Sequence, residues 1–171
     1  ESGTGTGIAG DVSVVSTRPN SRGHDTARNR SPDRQTLIPQ SFKLDIGSVP
    51  KINKIYHELK KLSAKDMPHS CAVMLRVFIE LSVEEYLKRK AIGSSDRLRD
   101  NLLSATQRLM DDGTCSAKEV EATRLYASGD SLFSIRSLQQ FVHNAHFSPT
   151  PEYLKTFWDN IEPFIRGLWK K

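Results

Sequence analysis

PHSCAVMLRVFIELSVEEYLKRKA, residues 68–91, is the stretch whose reading decides the fold. Cys71, Met74, Leu75, Phe78, Ile79, Leu81, Val83, Tyr86 and Leu87 recur at helical spacing and, at about 100° per residue, cover most of the circumference of one helix. A helix that is apolar nearly all round must be covered by other elements, so this segment reads as the central member of a helical domain. Its few polar positions are therefore conspicuous. Arg76, Glu80 and Glu84 follow one another at four-residue spacing, which lets Arg76 pair with Glu80 on one face. That pair is either a structural ion pair or a device that reaches to a neighbouring helix and orients Arg136 or His143 there.

The flanking sequence is helical as well. Upstream, Ile52, Ile55, Leu59 and Leu62 predict a helix over about 50–62, with Pro50 where a first turn tolerates proline. Downstream, Gly93 is expected to end the central helix and Ser94, Ser95 and Asp96 to cap the next, which runs to about Met110 on Leu98, Leu102, Ala105 and Leu109. Ser116 to Glu119 spells a capping box for a fourth helix through Val120, Leu125 and Ala127, stopped by Gly129. A fifth helix falls within 131–147, and Thr150 with Pro151 starts a last one carrying Tyr153, Leu154, Phe157, Trp158, Ile161, Phe164, Ile165 and Leu168. With no strand pattern between them and short connections throughout, the expected fold is all-α, an antiparallel bundle of five to six helices.

The amino-terminal part is a different material. Residues 1–36 are rich in Gly, Thr, Ser, Arg, Asn and Asp with almost nothing apolar in 18–36, a composition that cannot offset its ordering entropy, so a disordered linker is expected. Phe42, Leu44 and Ile46 alternate with polar residues, as an extended arm lying on the domain would. The division is thus a linker and arm over 1–48 and a bundle over 49–171. Because the chain opens on Glu1, the linker reads as joining the bundle to an upstream domain of a larger protein.

Charge and composition narrow the function classes. The chain has 171 residues, a formal net charge of +5 and 26% charged against 37% hydrophobic residues, which fits a soluble domain with a polar extension. No apolar run is long enough for a membrane span, and no leader pattern opens the chain, so a cytoplasmic location is expected. The basic surplus permits contact with nucleic acid, but the densest runs, Lys60–Lys61 and Lys88–Arg89–Lys90, fall at helix ends where cations also suit the dipole. Cys71 and Cys115 have neither disulfide nor metal spacing, and His143 and His146 lack a neighbouring carboxylate or cysteine, so no metal and no cofactor is expected.

The polar chemistry concentrates in the fifth helix. There Leu132, Ile135, Leu138 and Val142 form one apolar stripe and Phe133 and Phe141 a second, with a narrow polar strip of Arg136, Gln140 and His143 between them. Seven residues are almost two turns, so Arg136 and His143 share one line, about 10 Å apart along the axis. A guanidinium that can grip phosphate and an imidazole that can move a proton are held together.

Leu75 to Glu80 on a long central helix, followed two helices later by Arg136 and His143 in Arg-x6-His spacing and by Asn144, resembles the HEPN superfamily. The resemblance covers about 49–171. It implies a small helical bundle that works as a homodimer, a metal-independent ribonuclease of bacterial defence or toxin systems, with RNA as substrate. Arg136 and His143 would be catalytic, and Arg76, Glu80, Gln140 and Asn144 supporting. The chain is also similar to carboxy-terminal helical domains of larger bacterial defence or DNA-associated proteins. Two readings of other classes stand beside this one: a non-catalytic dimerisation or partner-binding module, and nonspecific DNA binding through the basic linker.

Overall fold

The computed structural model describes residues 33–129, 135–144 and 146–171, with residues 135–137 and 142 as backbone alone. Residues 1–32 of the linker expected over 1–36, and the expected beginning of the fifth helix at Ser131, lie outside the described residues. Within them the fold is all-α, a bundle of six helices: α1 (Pro50–Leu59), α2 (Pro68–Arg89), α3 (Leu98–Asp111), α4 (Ala117–Ser128), α5 (Ile135–His143) and α6 (Pro151–Leu168). None of the helices described is long and apolar enough to cross a membrane.

The all-round apolar pattern of residues 68–91 has the expected consequence. α2 packs against α1, α3, α5 and α6, and Cys71, Leu75, Phe78, Ile79, Val83 and Leu87 are fully buried. α6 supplies the other half of the core through Leu154, Phe157, Trp158, Ile161, Phe164, Ile165 and Leu168. Ring packing joins the layers: Trp158 meets Phe42 edge-on at 5.3 Å between centroids, and Tyr126 stacks on Phe157 at 4.6 Å. Each such pair contributes about 1 kcal/mol beyond the area it buries.

The arm lies on the bundle. Phe42 and Ile46 are buried and Leu44 is half-buried, as their alternation predicts, and the adjacent Leu37 and Ile38 are both buried as well. Arg34, within the polar segment for which no fixed structure is expected, is docked. Its Nη1 and Nη2 donate to the two carboxylate oxygens of Asp159 on α6 at 3.1 and 2.8 Å, and Nη2 and Nε also donate to the carbonyls of Lys155 and Leu37. A planar guanidinium meeting a carboxylate with both prongs is among the stronger polar contacts a protein makes. Arg34→Ala should therefore cost about 2 kcal/mol and speed amide exchange at Leu37 and Ile38, measurable by hydrogen–deuterium exchange. Unchanged protection there would mean that buried side chains alone hold the arm.

Helix ends agree with the sequence in two places and depart from it in two. Ser116 and Glu119 form the capping box of α4, and the Thr150 hydroxyl accepts from Tyr153 N at 3.2 Å with Pro151 in the first turn of α6. At α2, however, the left-handed residue is Ala91 (φ 53°), not Gly93. Ile92 N donates to Leu87 O and Ala91 N to Lys88 O, a Schellman arrangement built on a residue with a Cβ. Ala91→Gly should raise stability by about 1 kcal/mol by relieving that conformation, read as a higher melting temperature. A lower one would place the cost of the added backbone freedom above the strain.

The second departure is at α3. Its first turn follows Arg97, an extended residue with no side-chain cap, rather than Ser94 to Asp96. Ser95 and Asn101 are instead tied to each other, Ser95 N donating to Asn101 Oδ1 at 2.7 Å and Asn101 Nδ2 to Ser95 O at 2.8 Å. On α4, Leu125 is 53% exposed and the buried positions are Val120, Thr123, Tyr126 and Ala127. Five residues after Val120 a side chain has turned about 140° away from it, too far to share its face.

Candidate functional site

α5 begins from the constraint that its apolar residues must meet α2. Leu138 and Phe141, three residues apart, are buried and seat the helix against α2. Both expected apolar sides thus contribute to one buried sector. The opposite sector is polar: Gln139, Gln140 and His143 are exposed. Position 136 lies on the same helical line as His143 by the seven-residue spacing, within the backbone of α5.

His143 is the last residue of α5. Asn144 then ends the helix, its N–H bonded to Gln140 O at 2.8 Å. Its side-chain Oδ1 accepts from His146 N at 2.9 Å, a local turn that Asn forms readily. Asn144 thus shapes the exit from the helix beside His143. Phe147, 41% exposed, stacks on Phe141 at 4.8 Å between centroids. The imidazole therefore stands at a helix end, in solvent, and the chain beyond it brings the partly exposed Phe147 onto the buried Phe141.

Arg76 and Glu80 do share a face of α2, but their contact is long. Arg76 Nε lies 3.9 Å from Glu80 Oε2, with the side chains 20% and 41% exposed, a geometry that stabilises by a few tenths of a kcal/mol at about the level of an ordinary helix-surface pair. Arg76 is nonetheless brought toward α5, where it and Gln139 line one cleft. Among the described residues no hydrogen bond or ion pair joins Arg76 or Glu80 to Gln140, His143 or Asn144. Of the six site residues expected, the structure gathers Gln140, His143 and Asn144 at the end of α5 and places Arg76 and Glu80 on the adjoining helix, while the side chain of Arg136 lies outside the described residues.

The sequence reading missed Arg97, Arg99 and Gln139, which line that same cleft with Arg76. Gln139 was legible as the neighbour of Gln140 on an exposed helix; the two arginines were not, because they stand at the start of α3, Arg97 just before it and Arg99 in its first turn, and reach the site only through the fold. The two thiols stand apart from this region. Cys71 and Cys115 are free and buried, and burial pushes Cys71 up to about 11 and Cys115 above its ordinary range, which leaves little of the reactive thiolate. Among the described residues no three of His, Cys, Asp and Glu gather in a group that could hold a metal ion. Compared with models of protein families, with curated proteins and with solved structures, the chain has no significant match.

Proposed function

We propose that residues 49–171 are an HEPN-like domain that cuts single-stranded RNA without a metal ion, as a cytoplasmic homodimer in a bacterial defence or toxin system. The observation that carries this reading is the exposed His143 at the end of α5, on one helical line with Arg136. A proton-transferring group must come within hydrogen-bond reach of its substrate, and a solvent-facing imidazole at a helix end can do so without rearranging the core.

His143 removes the proton of a ribose 2′-hydroxyl, whose oxygen then attacks the adjacent phosphorus. The bond to the 5′-oxygen breaks, that oxygen takes up a proton, and the products end in a 2′,3′-cyclic phosphate and a 5′-hydroxyl. Arg136 offsets the charge that grows on the phosphate oxygens. One imidazole cannot serve both sides of the phosphorus, so two α5 helices related by a twofold axis supply base and acid. Gln140 steadies the strand, Asn144 fixes the turn that follows His143, and Arg76 with Glu80 supports the helix from behind.

The second reading, an assembly module without catalysis, is favoured by Phe147, 41% exposed over the buried Phe141, an apolar surface that a second copy would cover. The substrate distinguishes them. The chain should cut a mixed-sequence single-stranded RNA and leave cyclic phosphate ends, while DNA of the same sequence stays whole because it lacks the nucleophile. Equal cutting of the DNA would sink the 2′-hydroxyl mechanism.

A further inference from the structure

A second polar feature lies beside α5 and owes nothing to His143. The cleft between α2, the start of α3, the end of α4 and α5 has a volume of about 480 Å³ and is lined by Arg76, Arg97 and Arg99, with Asp96 and Gln139 among its other residues. Among the described residues three arginines thus line the cleft against Asp96 and against Glu80, 3.9 Å from Arg76, so the arginines outnumber the carboxylates and an anion would offset the surplus. Arg99 spends its Nε on the carbonyl of Ala127 at 2.9 Å, which fixes the side chain while leaving its terminal nitrogens for another acceptor. Among the described residues Arg76 makes only the long contact with Glu80, and its buried Nη1 has no hydrogen-bond partner. α3 also begins there, at Arg97, with no side chain capping its amides, and the positive end of its dipole adds to the same field.

We propose that this cleft binds a phosphate group, held by the guanidiniums of Arg76, Arg97 and Arg99. Guanidinium matches the planar pairs of oxygens that phosphate presents, and the volume admits a phosphate with the sugar attached to it. The same chemistry is offered by a free phosphorylated ligand and by a phosphate within a nucleic-acid strand. In the second case Gln139, four residues before His143, would set the held phosphate about 6 Å along α5 from the imidazole. Neither case requires that His143 be catalytic.

The test uses the full chain, titrated by calorimetry with inorganic pyrophosphate and by fluorescence anisotropy with a short labelled single-stranded DNA, which the proposed chemistry does not cut. Arg97→Gln, at an exposed position where folding is not at stake, and Arg76→Gln should each weaken binding about tenfold, the loss of roughly one charge-assisted contact. For the strand, the logarithmic salt slope should fall by about 0.7 for each arginine removed. Weakening of pyrophosphate binding identifies a free phosphorylated ligand; weakening confined to the strand, with the lower slope, identifies a strand phosphate. Lys51→Gln, exposed on α1, should change neither. The proposal is overturned if wild type binds neither probe, if both arginine variants bind as wild type does, or if Lys51→Gln loses as much.

Discussion

His143→Ala is expected to lower RNA cleavage by about 10²–10⁴-fold, the range that a positioned acid or base contributes, and to leave the fold alone. The separation follows from where the residue stands. His143 is exposed at the last position of α5, while the contacts that seat this helix are made by Leu138 and Phe141. Surface substitutions of this kind move stability by no more than about 0.5 kcal/mol. His143→Gln sharpens the result, since an amide can donate a hydrogen bond to phosphate but cannot accept and return a proton. Both variants should be equally inactive if proton transfer is the role. Activity retained by glutamine and lost with alanine would make His143 a phosphate-gripping group instead.

Gly167→Ala is expected to lower stability by about 2–3 kcal/mol, at the upper end of what overpacking a core costs. A Cβ at this position of α6 would stand 2.5 Å from Cys115 Sγ and 3.4 Å from both Leu109 methyls. Gly167 is in an ordinary helical conformation, so here glycine serves close approach, letting α6 lie against the end of α3 and the Cys115 turn. The Sγ cannot move away freely, because Cys115 is itself buried with its thiol toward the Pro163 carbonyl. Cys115→Ala removes the obstructing atom, so the double variant should be more stable than Gly167→Ala alone, a coupling that a double-mutant cycle in urea measures directly. Additive losses would place the strain on Leu109.

The two predictions mark how far the chain could be read without its fold. Periodicity gave the helices and their order, because burial of α2 and α6 follows from which residues are apolar and how they are spaced. Caps made from side chains, Ser116 with Glu119 and Thr150 with Pro151, were equally plain. What escaped were features that depend on where the chain goes next. Ala91 takes a left-handed conformation because the Schellman bonds of Ile92 and Ala91 require it, while Gly93, two residues on, looked the better candidate. Arg34 resembled the polar segment around it until Asp159, far along the chain, was placed opposite. Leu125 looked inward by composition and faces outward by its angle on α4.

The site divides in the same way. Gln140 and His143 could be placed on one helix surface from spacing alone, because a single helix fixes their relation. The spacing could not say which sector of α5 is buried, and that was decided by Leu138 and Phe141 together. The arginine cleft was not legible at all, since Arg76 lies on a separate part of the sequence from Arg97 and Arg99, and α2 and α3 meet only in the folded bundle.

The most direct test of the catalytic reading is incubation of mixed single-stranded RNA in EDTA with wild type and with His143→Ala, each sized by gel filtration in the same buffer. The account predicts that both elute as dimers and that only wild type cuts the RNA. Cutting by the variant at the wild-type rate, or a variant that falls to monomer, would contradict it, the first by removing His143 from the chemistry and the second by making it part of the assembly.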